Sequence, residues 1–458
     1  MRLNVRRSSL EAAVRALVVA TIVAVSFGSS GSPAVRSVAQ PLWHVTLVAL
    51  CGLSLAYATA SAAERGTREV RSNRLTYALA VALVAVAVVS AGWSVEPRTT
   101  LARAAAFALL LVTAGALSHA VVGERETVER LLVSVLAGAT AVALLGLAVL
   151  VVAPNHAIQE ATQSIPTRYR GIAQNPNTVA MLFAAVLPVA TWFAGAARGR
   201  LRIVAGAALV VLAGSIVGSG SRAALVTGAA GVFVVMLAGV PGVRRRLLAV
   251  LGVVTLTACA VALTQLPKPI PASEARPSPA IETTTGSPRD AEGFFRLQDE
   301  IGRPGGSDVG RHRRLLLGSS GRGQAWTGAV EQGADRPLLG YGFGTEPDVF
   351  VDRYYSFYGG VPEDSYIGMF LQLGAVGVVL LVGLALGLLG TALRGLRRID
   401  TRSRTALAAC AGSLVVGLGL AVAQSYLYSV GNNATLSIWI CAFLGLPLAA
   451  REPVLAWP

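Results

Sequence analysis

The chain is 458 residues long, 54 % hydrophobic and only 14 % charged, with a mean hydropathy of +0.61 and a formal net charge of +15. That composition excludes a soluble globular or disordered chain and indicates a polytopic membrane protein. A pI near 10.6 would indicate nucleic acid in a soluble domain, but here the basic residues fall in short segments between apolar runs, where they face an anionic leaflet.

A hydrocarbon core of about 30 Å takes roughly 20 apolar residues of helix, and the sequence offers that length about a dozen times. Spans are predicted near 10–30, 43–62, 75–93, 104–122, 131–152, 177–197, 201–218, 223–240, 247–266, 366–392, 406–424 and 433–450. The expected fold class is therefore an all-α membrane protein of about 12 transmembrane helices, with one large extracytoplasmic loop containing short helices. The pair over 201–240 is tight enough to be partly re-entrant. The first span follows Arg2, Arg6 and Arg7 as a signal peptide would, but it is longer than a usual signal core and many spans follow, so an uncleaved anchor is expected.

With the N-terminus inside, twenty-one arginines fall on the expected cytoplasmic segments. Six, Arg36, Arg98, Arg103, Arg168, Arg170 and Arg222, fall on short outer loops. This bias puts both termini in the cytoplasm. Three regions follow: 1–266 with transmembrane helices 1–9, 267–365 as the large extracytoplasmic loop, and 366–458 with helices 10–12 and a cytoplasmic tail. Cys51, Cys259, Cys410 and Cys441 lie inside spans without C-x-x-C spacing and read as small buried residues. His44, His119, His156 and His312 are isolated from one another, so neither a metal nor a cofactor is expected.

The large loop divides in two. Its first part, 267–314, carries PKPIPASEARPSPAIETTTGSPRD and reads as a flexible arm. The second, 315–365, is aromatic and apolar enough to be ordered and functional; the loop holds ten of the chain's 28 aromatic residues.

Polar residues gather at the outer helix ends. In RYRGIAQNPNTVAML, Asn175 or Asn177 can cap the helix behind Arg168 and Arg170. In GSGSRAALV, Arg222 sits at a tight outward turn. Outward arginines run against the topology bias and either snorkel or pair locally, or together bind a phosphate group. In PEDSYIGMFLQLGAVG, Glu363 and Asp364 stand at a helix start, where acids cap N–H groups and complement the dipole, or do chemistry. Tyr366 suits an interfacial belt or a ligand contact, and Gly374 and Gly377 suit close helix packing.

Several of these stretches resemble the O-antigen ligase/polymerase family of integral-membrane, C-type glycosyltransferases. They are R-G-x-x-x-N-P-N at 170–177, S-R-A-A at 221–224, G-R-x-x-x-W at 321–326, P-L-L-G-Y-G at 337–342, and D-S-Y-I followed by L-G-A-V-G. The resemblance covers roughly 90–440 and implies a metal-independent, inverting enzyme. Such an enzyme moves glycan from a polyprenyl-diphosphate carrier to a glycan or lipid acceptor on the outer face of a bacterial plasma membrane. By motif match, Arg170 and Arg222, with Arg322, would hold the donor diphosphate, and Trp326 would pack. Many relatives carry H-N-x-Y-L where this chain has Glu363, Asp364, Ser365, Tyr366 and Ile367, so Glu363 stands at the position of a histidine proposed to activate the acceptor. A carboxylate can take a hydroxyl proton, and arginines can stabilise the leaving diphosphate. The choice between ligase and polymerase stays open. A lipid-linked glycan transporter is the alternative, although its site would lie near the midplane on charged or broken helices. One lysine against 38 arginines points to a high-GC bacterial genome.

Overall fold

The apolar runs fold as helices because a segment in hydrocarbon must satisfy its backbone N–H and C=O groups within itself. The structure, a computed structural model, describes residues 2–65, 73–160, 167–239, 242–263, 322–350 and 361–450. The expected flexible arm at 267–314 lies outside the described residues, as do parts of the expected ordered half of the loop.

The N-terminal helices are α1 (Arg2–Gly28), α2 (Pro33–Arg65), α3 (Arg74–Val89), α4 (Pro97–Ala120), α5 (Arg125–Val152) and the short α6 (Pro154–Ala157). A small antiparallel pair follows, β1 (Ile158–Gln159) with β2 (Arg168–Tyr169). Then come α7 (Pro176–Ala196), α8 (Arg200–Ser219), α9 (Arg222–Gly239) and α10 (Val243–Leu263). The last group is α11 (Arg322–Gly333), α12 (Glu346–Val349), α13 (Ser365–Leu396), α14 (Thr401–Ala421) and α15 (Asn433–Ala449). Among the described residues, 10 helices are long and apolar enough to cross a membrane, while the apolar part of α10 and α15 are shorter. The chain is a multi-pass, all-α membrane protein. The tight pair, α8 and α9, forms two continuous helices joined at left-handed Gly220.

Position in the bundle follows from which helices are apolar all round. The spans of α7 and α14 are 72 % buried, against 28–44 % for the other candidates, so these two lie at the centre. Helix α14 packs on α7, α9, α13 and α15, and α15 packs on α4 and α7. Nearly every α15 residue is buried, Trp439 and Phe443 among the largest.

Helix α13 is broken at Gly374, whose φ is 61° and ψ −156°. The break lets the 337–342 segment dock: Tyr341 N–H donates to Leu371 O at 2.9 Å, Gly342 N–H to Gln372 O at 2.9 Å and Ala375 N–H to Pro337 O at 2.8 Å. Irregular backbone at a span is tolerated where protein satisfies it. Gly374 thus packs against backbone at Leu338 and Leu339 from a loop, a closer role than the helix contact its spacing suggests, and a Cβ there would strike the Leu338 carbonyl. The other side of the docked segment is held by the α3–α4 corner, where Trp93 Nε1 donates to Leu339 O at 3.0 Å and Val95 N–H to Tyr341 O at 3.0 Å.

Alternating helices leave two unlike ends. One gathers the described connections at 29–32, 90–96, 153–160, 167–175, 220–221, 334–350, 361–364 and 422–432. The opposite end carries the short turns at 121–124, 197–199 and 397–400 with their arginines.

Candidate functional site

The loop-rich end holds an arginine group ahead of α7 and α9. Arg168 on β2 is 5 % exposed; its Nε donates to Ser219 O at 2.6 Å and its Nη2 to Asn177 Oδ1 at 2.6 Å. Arg170 donates to His156 O at 3.0 Å and to Asn155 O at 3.2 Å. Asn175 caps α7, its side chain accepting from Asn177 N–H at 2.8 Å. Arg222 opens α9 directly after the Ser219–Ser221 turn on which Arg168 rests. Arg322 opens α11, and its side chain lies outside the described set.

The acids form a second group at the start of α13. Asp364 is its N-cap, accepting from Tyr366 N–H at 2.8 Å and Ile367 N–H at 3.0 Å, which satisfies two of the free donors at a helix start. Burial raises the Asp364 carboxyl above its ordinary value, opposed by those two N–H bonds. Glu363 has a φ of 52°, alone among described non-glycine residues in being left-handed. That conformation costs about 1–2 kcal/mol and persists where the surroundings hold it, often at functional sites. Gln424 Nε2 donates to Glu363 Oε2 at 3.2 Å, and Trp326 Nε1 on α11 donates to Pro362 O at 2.8 Å. The Tyr366 hydroxyl donates to Leu418 O at 3.0 Å, tying α13 to α14.

Beside the acid group lies Glu346, an acid the sequence motifs did not single out. It is 3 % exposed. Its carboxylate accepts from Ser425 Oγ at 2.6 Å, Tyr428 OH at 2.5 Å and Gln372 Nε2 at 3.0 Å. Ser425 Oγ in turn accepts from Asp364 N–H at 3.1 Å, so one serine joins Glu346 to the acid corner. Gly368 faces this cluster so closely that a Cβ would strike the Tyr428 hydroxyl and Glu346. Burial pushes the Glu346 carboxyl up to about 7, against the hydrogen bonds from Ser425 and Tyr428 and the charge of Arg103, with Asp364 adding to the rise.

Glu346 lines a cleft of about 410 Å³ together with Trp43, His44, Arg103, Gln372 and Tyr428, among others. Arg103 donates to the Gly344 carbonyl, and Trp43 stacks on His44 with ring centroids 3.5 Å apart. On one side the cleft is linked to the arginine group. Trp43 lies against Gly28 and Gly431, Gly31 lies beside the Arg170 guanidinium, and Ser29 bonds both Gln174 N–H at 2.7 Å and Asn433 Oδ1 at 3.1 Å. On the other side it includes Val361 and Ser425, next to Glu363 and Gln424. The structure therefore places Arg170, Asn175, Asn177, Arg222, Glu363, Asp364 and Tyr366 at one end of the bundle in two groups; the cleft adjoins the acid group at Ser425 and is linked to Arg170 through the turn from Gly28 to Gly31. Among the described residues, no group of three or more His, Cys, Asp or Glu is set to hold a metal ion.

Two signals for the cleft were present in the sequence. Gln372 is a lone amide inside the apolar run of α13, and Glu346 follows P-L-L-G-Y-G by four residues. Arg103 was visible only as one more outer arginine.

Residues 207–382, from α8 into α13, match the family model described as O-antigen ligase. This stretch contains Arg222, Trp326, the docked 337–342 segment, Glu346 and Glu363, while Arg170 to Asn177 lie ahead of it. No curated protein matches the chain. Within this multi-pass membrane fold, residues 207–382 thus form a stretch similar to the O-antigen ligase family.

Proposed function

We propose that the chain transfers or polymerises glycan from a polyprenyl-diphosphate-linked donor to a glycan or lipid acceptor. The reaction takes place at the outer face of a bacterial plasma membrane, with both termini cytoplasmic. The observation that carries this is that the ligase domain brackets Arg222 and Glu363, which share the loop-rich end of the bundle. Arg170, Arg222 and Arg322 hold the donor diphosphate, with Asn175 and Asn177 shaping the backbone around it. The acceptor hydroxyl attacks the anomeric carbon, and its proton passes to the Glu363 carboxylate. The bond from that carbon to the diphosphate oxygen breaks, and its electron pair leaves with the diphosphate. A single displacement of this kind inverts the anomeric centre and needs no metal. Asp364 fixes the corner as the α13 cap, and Tyr366 anchors it to α14.

A transporter would also use a broken helix, with its freed backbone groups facing a midplane site. In α13 those groups are taken by the 337–342 segment, which favours the transferase. The test is complementation of a deletion strain with Glu363→Gln and Arg222→Ala, checking that each protein is inserted. Loss of surface glycan in both supports the assignment; wild-type glycan in both at normal expression sinks it. Chain length on the accumulated carrier then separates a polymerase, which leaves single repeat units, from a ligase, which leaves full chains.

A further inference from the structure

The cleft in front of Glu346 has a lining that suits a particular kind of ligand. Its volume of about 410 Å³ lies in the range of small-molecule sites, roughly 300–1,000 Å³. The Glu346 carboxylate, the Arg103 guanidinium and the Gln372, Ser425 and Tyr428 polar groups interrupt an otherwise largely apolar lining, and an acyl chain would offer them no partners. The Trp43 indole, with Phe343 and Val361, supplies the apolar part of that lining. An aromatic face beside fixed acceptors and donors is what a pyranose requires, since its C–H face is apolar and its rim carries hydroxyls. Glu346 is also preorganised: three protein donors hold its carboxylate in one orientation.

Position narrows the choice of sugar. Trp43 in the cleft wall packs on Gly28, three residues before the Gly31 that lies beside the Arg170 guanidinium, while Val361 and Ser425 adjoin the Glu363 corner. The ring whose anomeric carbon is attacked must lie between the diphosphate and the base. We propose that this cleft is the subsite for the donor's first sugar, with the ring against Trp43 and its hydroxyls bonded to Glu346 and Arg103. This rests on the glycosyl transfer proposed above and adds the residues that select the sugar.

The experiment has two arms on protein in nanodiscs, prepared without glycoside detergents because these would compete. The first measures saturation-transfer NMR signals from methyl glycosides of a hexose, an N-acetylhexosamine, a deoxyhexose and a hexuronate. At least one should bind the wild type, with the signal about tenfold weaker in Trp43→Ala or Arg103→Gln at unchanged thermal midpoint. No signal from any glycoside, or equal signals in both variants, overturns the subsite. The second arm measures binding of undecaprenyl diphosphate, which carries no sugar and should depend on Arg222 but not on Trp43. If that binding is absent while a glycoside binds at Trp43, the diphosphate assignment fails and the subsite stands. If the diphosphate binds and the glycosides do not, the reverse holds.

Discussion

The two ends of the bundle handle charge differently. At the short-turn end, arginines meet carboxylates directly: Arg7 with Glu64 and Glu124, Arg125 with Glu129 and Asp400, Arg130 with Glu11. At the loop-rich end, Arg103, Arg168 and Arg170 bond main-chain carbonyls and an asparagine. There Glu346, Glu363 and Asp364 bond hydroxyls, amides and backbone N–H groups. A charge matched by an opposite charge is neutralised. A charge whose hydrogen bonds come mainly from neutral dipoles is less neutralised and keeps more of its field for a substrate, while Arg103 still acts on Glu346 across the cleft.

The largest effects should follow from removing the fields at the loop-rich end. Glu363→Gln and Arg222→Ala should each lower transfer by about 10²–10⁴-fold, measured as product formed by purified protein on a lipid-linked donor. A loss under threefold in both would mean that these charges are not part of the chemistry. The next effect is structural. Gly374→Ala places a methyl group against the Leu338 carbonyl at a left-handed position. Strain and overpacking together should cost about 3–4 kcal/mol, read as a lower thermal midpoint, and should unseat the segment that carries Glu346. An unchanged midpoint would show that the docked 337–342 segment contributes little.

The third prediction concerns Glu346. Its folded pKa, about 7, lies above the ordinary glutamate value of 4.5. The folded state therefore favours the proton, so this group's contribution to stability is full below pH 4.5 and is lost as pH rises through about 7. Relative to wild type, Glu346→Gln should gain on the order of 2–3 kcal/mol between pH 4.5 and pH 8. Arg103 and Asp364 are the charged groups facing it, and neither is altered in this pair of proteins. Thermal midpoints of the two at pH 5 and pH 8 check this; a difference that does not change with pH would sink it.

How much of this was legible in the sequence depends on range. Ten of the expected spans recur as long apolar helices among the described residues, because about 20 consecutive apolar residues are enough to identify one, and the α7 cap was readable because Asn175 acts within two residues of itself. Orientation of charge along the chain was readable too, since the arginine clusters coincide with helix ends. The Glu346 cleft was readable only as two separate hints, the lone amide Gln372 in an apolar run and an acid four residues past P-L-L-G-Y-G, and not as a site. It exists only because a segment some 25 residues before α13 returns to fill the break at Gly374, and a glycine inside an apolar run looks like a packing glycine from sequence alone. Trp43 and Glu346 are about 300 residues apart, and nothing local in either stretch announces the other.

The smallest expected effect lies at the short-turn end and sharpens the contrast. Arg130 Nε sits 2.7 Å from Glu11, with side-chain exposures of 45 % and 15 %, and also donates to Thr127. In such a half-exposed pair, desolvation and side-chain entropy offset most of the Coulomb attraction, which leaves about 0.5 kcal/mol. Arg130→Gln should therefore lower the thermal midpoint by about 1 °C or less and leave transfer at wild-type rate. The same arginine-to-glutamine change at Arg103 removes a cation that lines the cleft, and it should impair transfer with little change in midpoint. If Arg130→Gln impaired transfer as strongly as Arg103→Gln, the division of labour between the two ends would be wrong, because a neutralised pair would then be acting on the substrate.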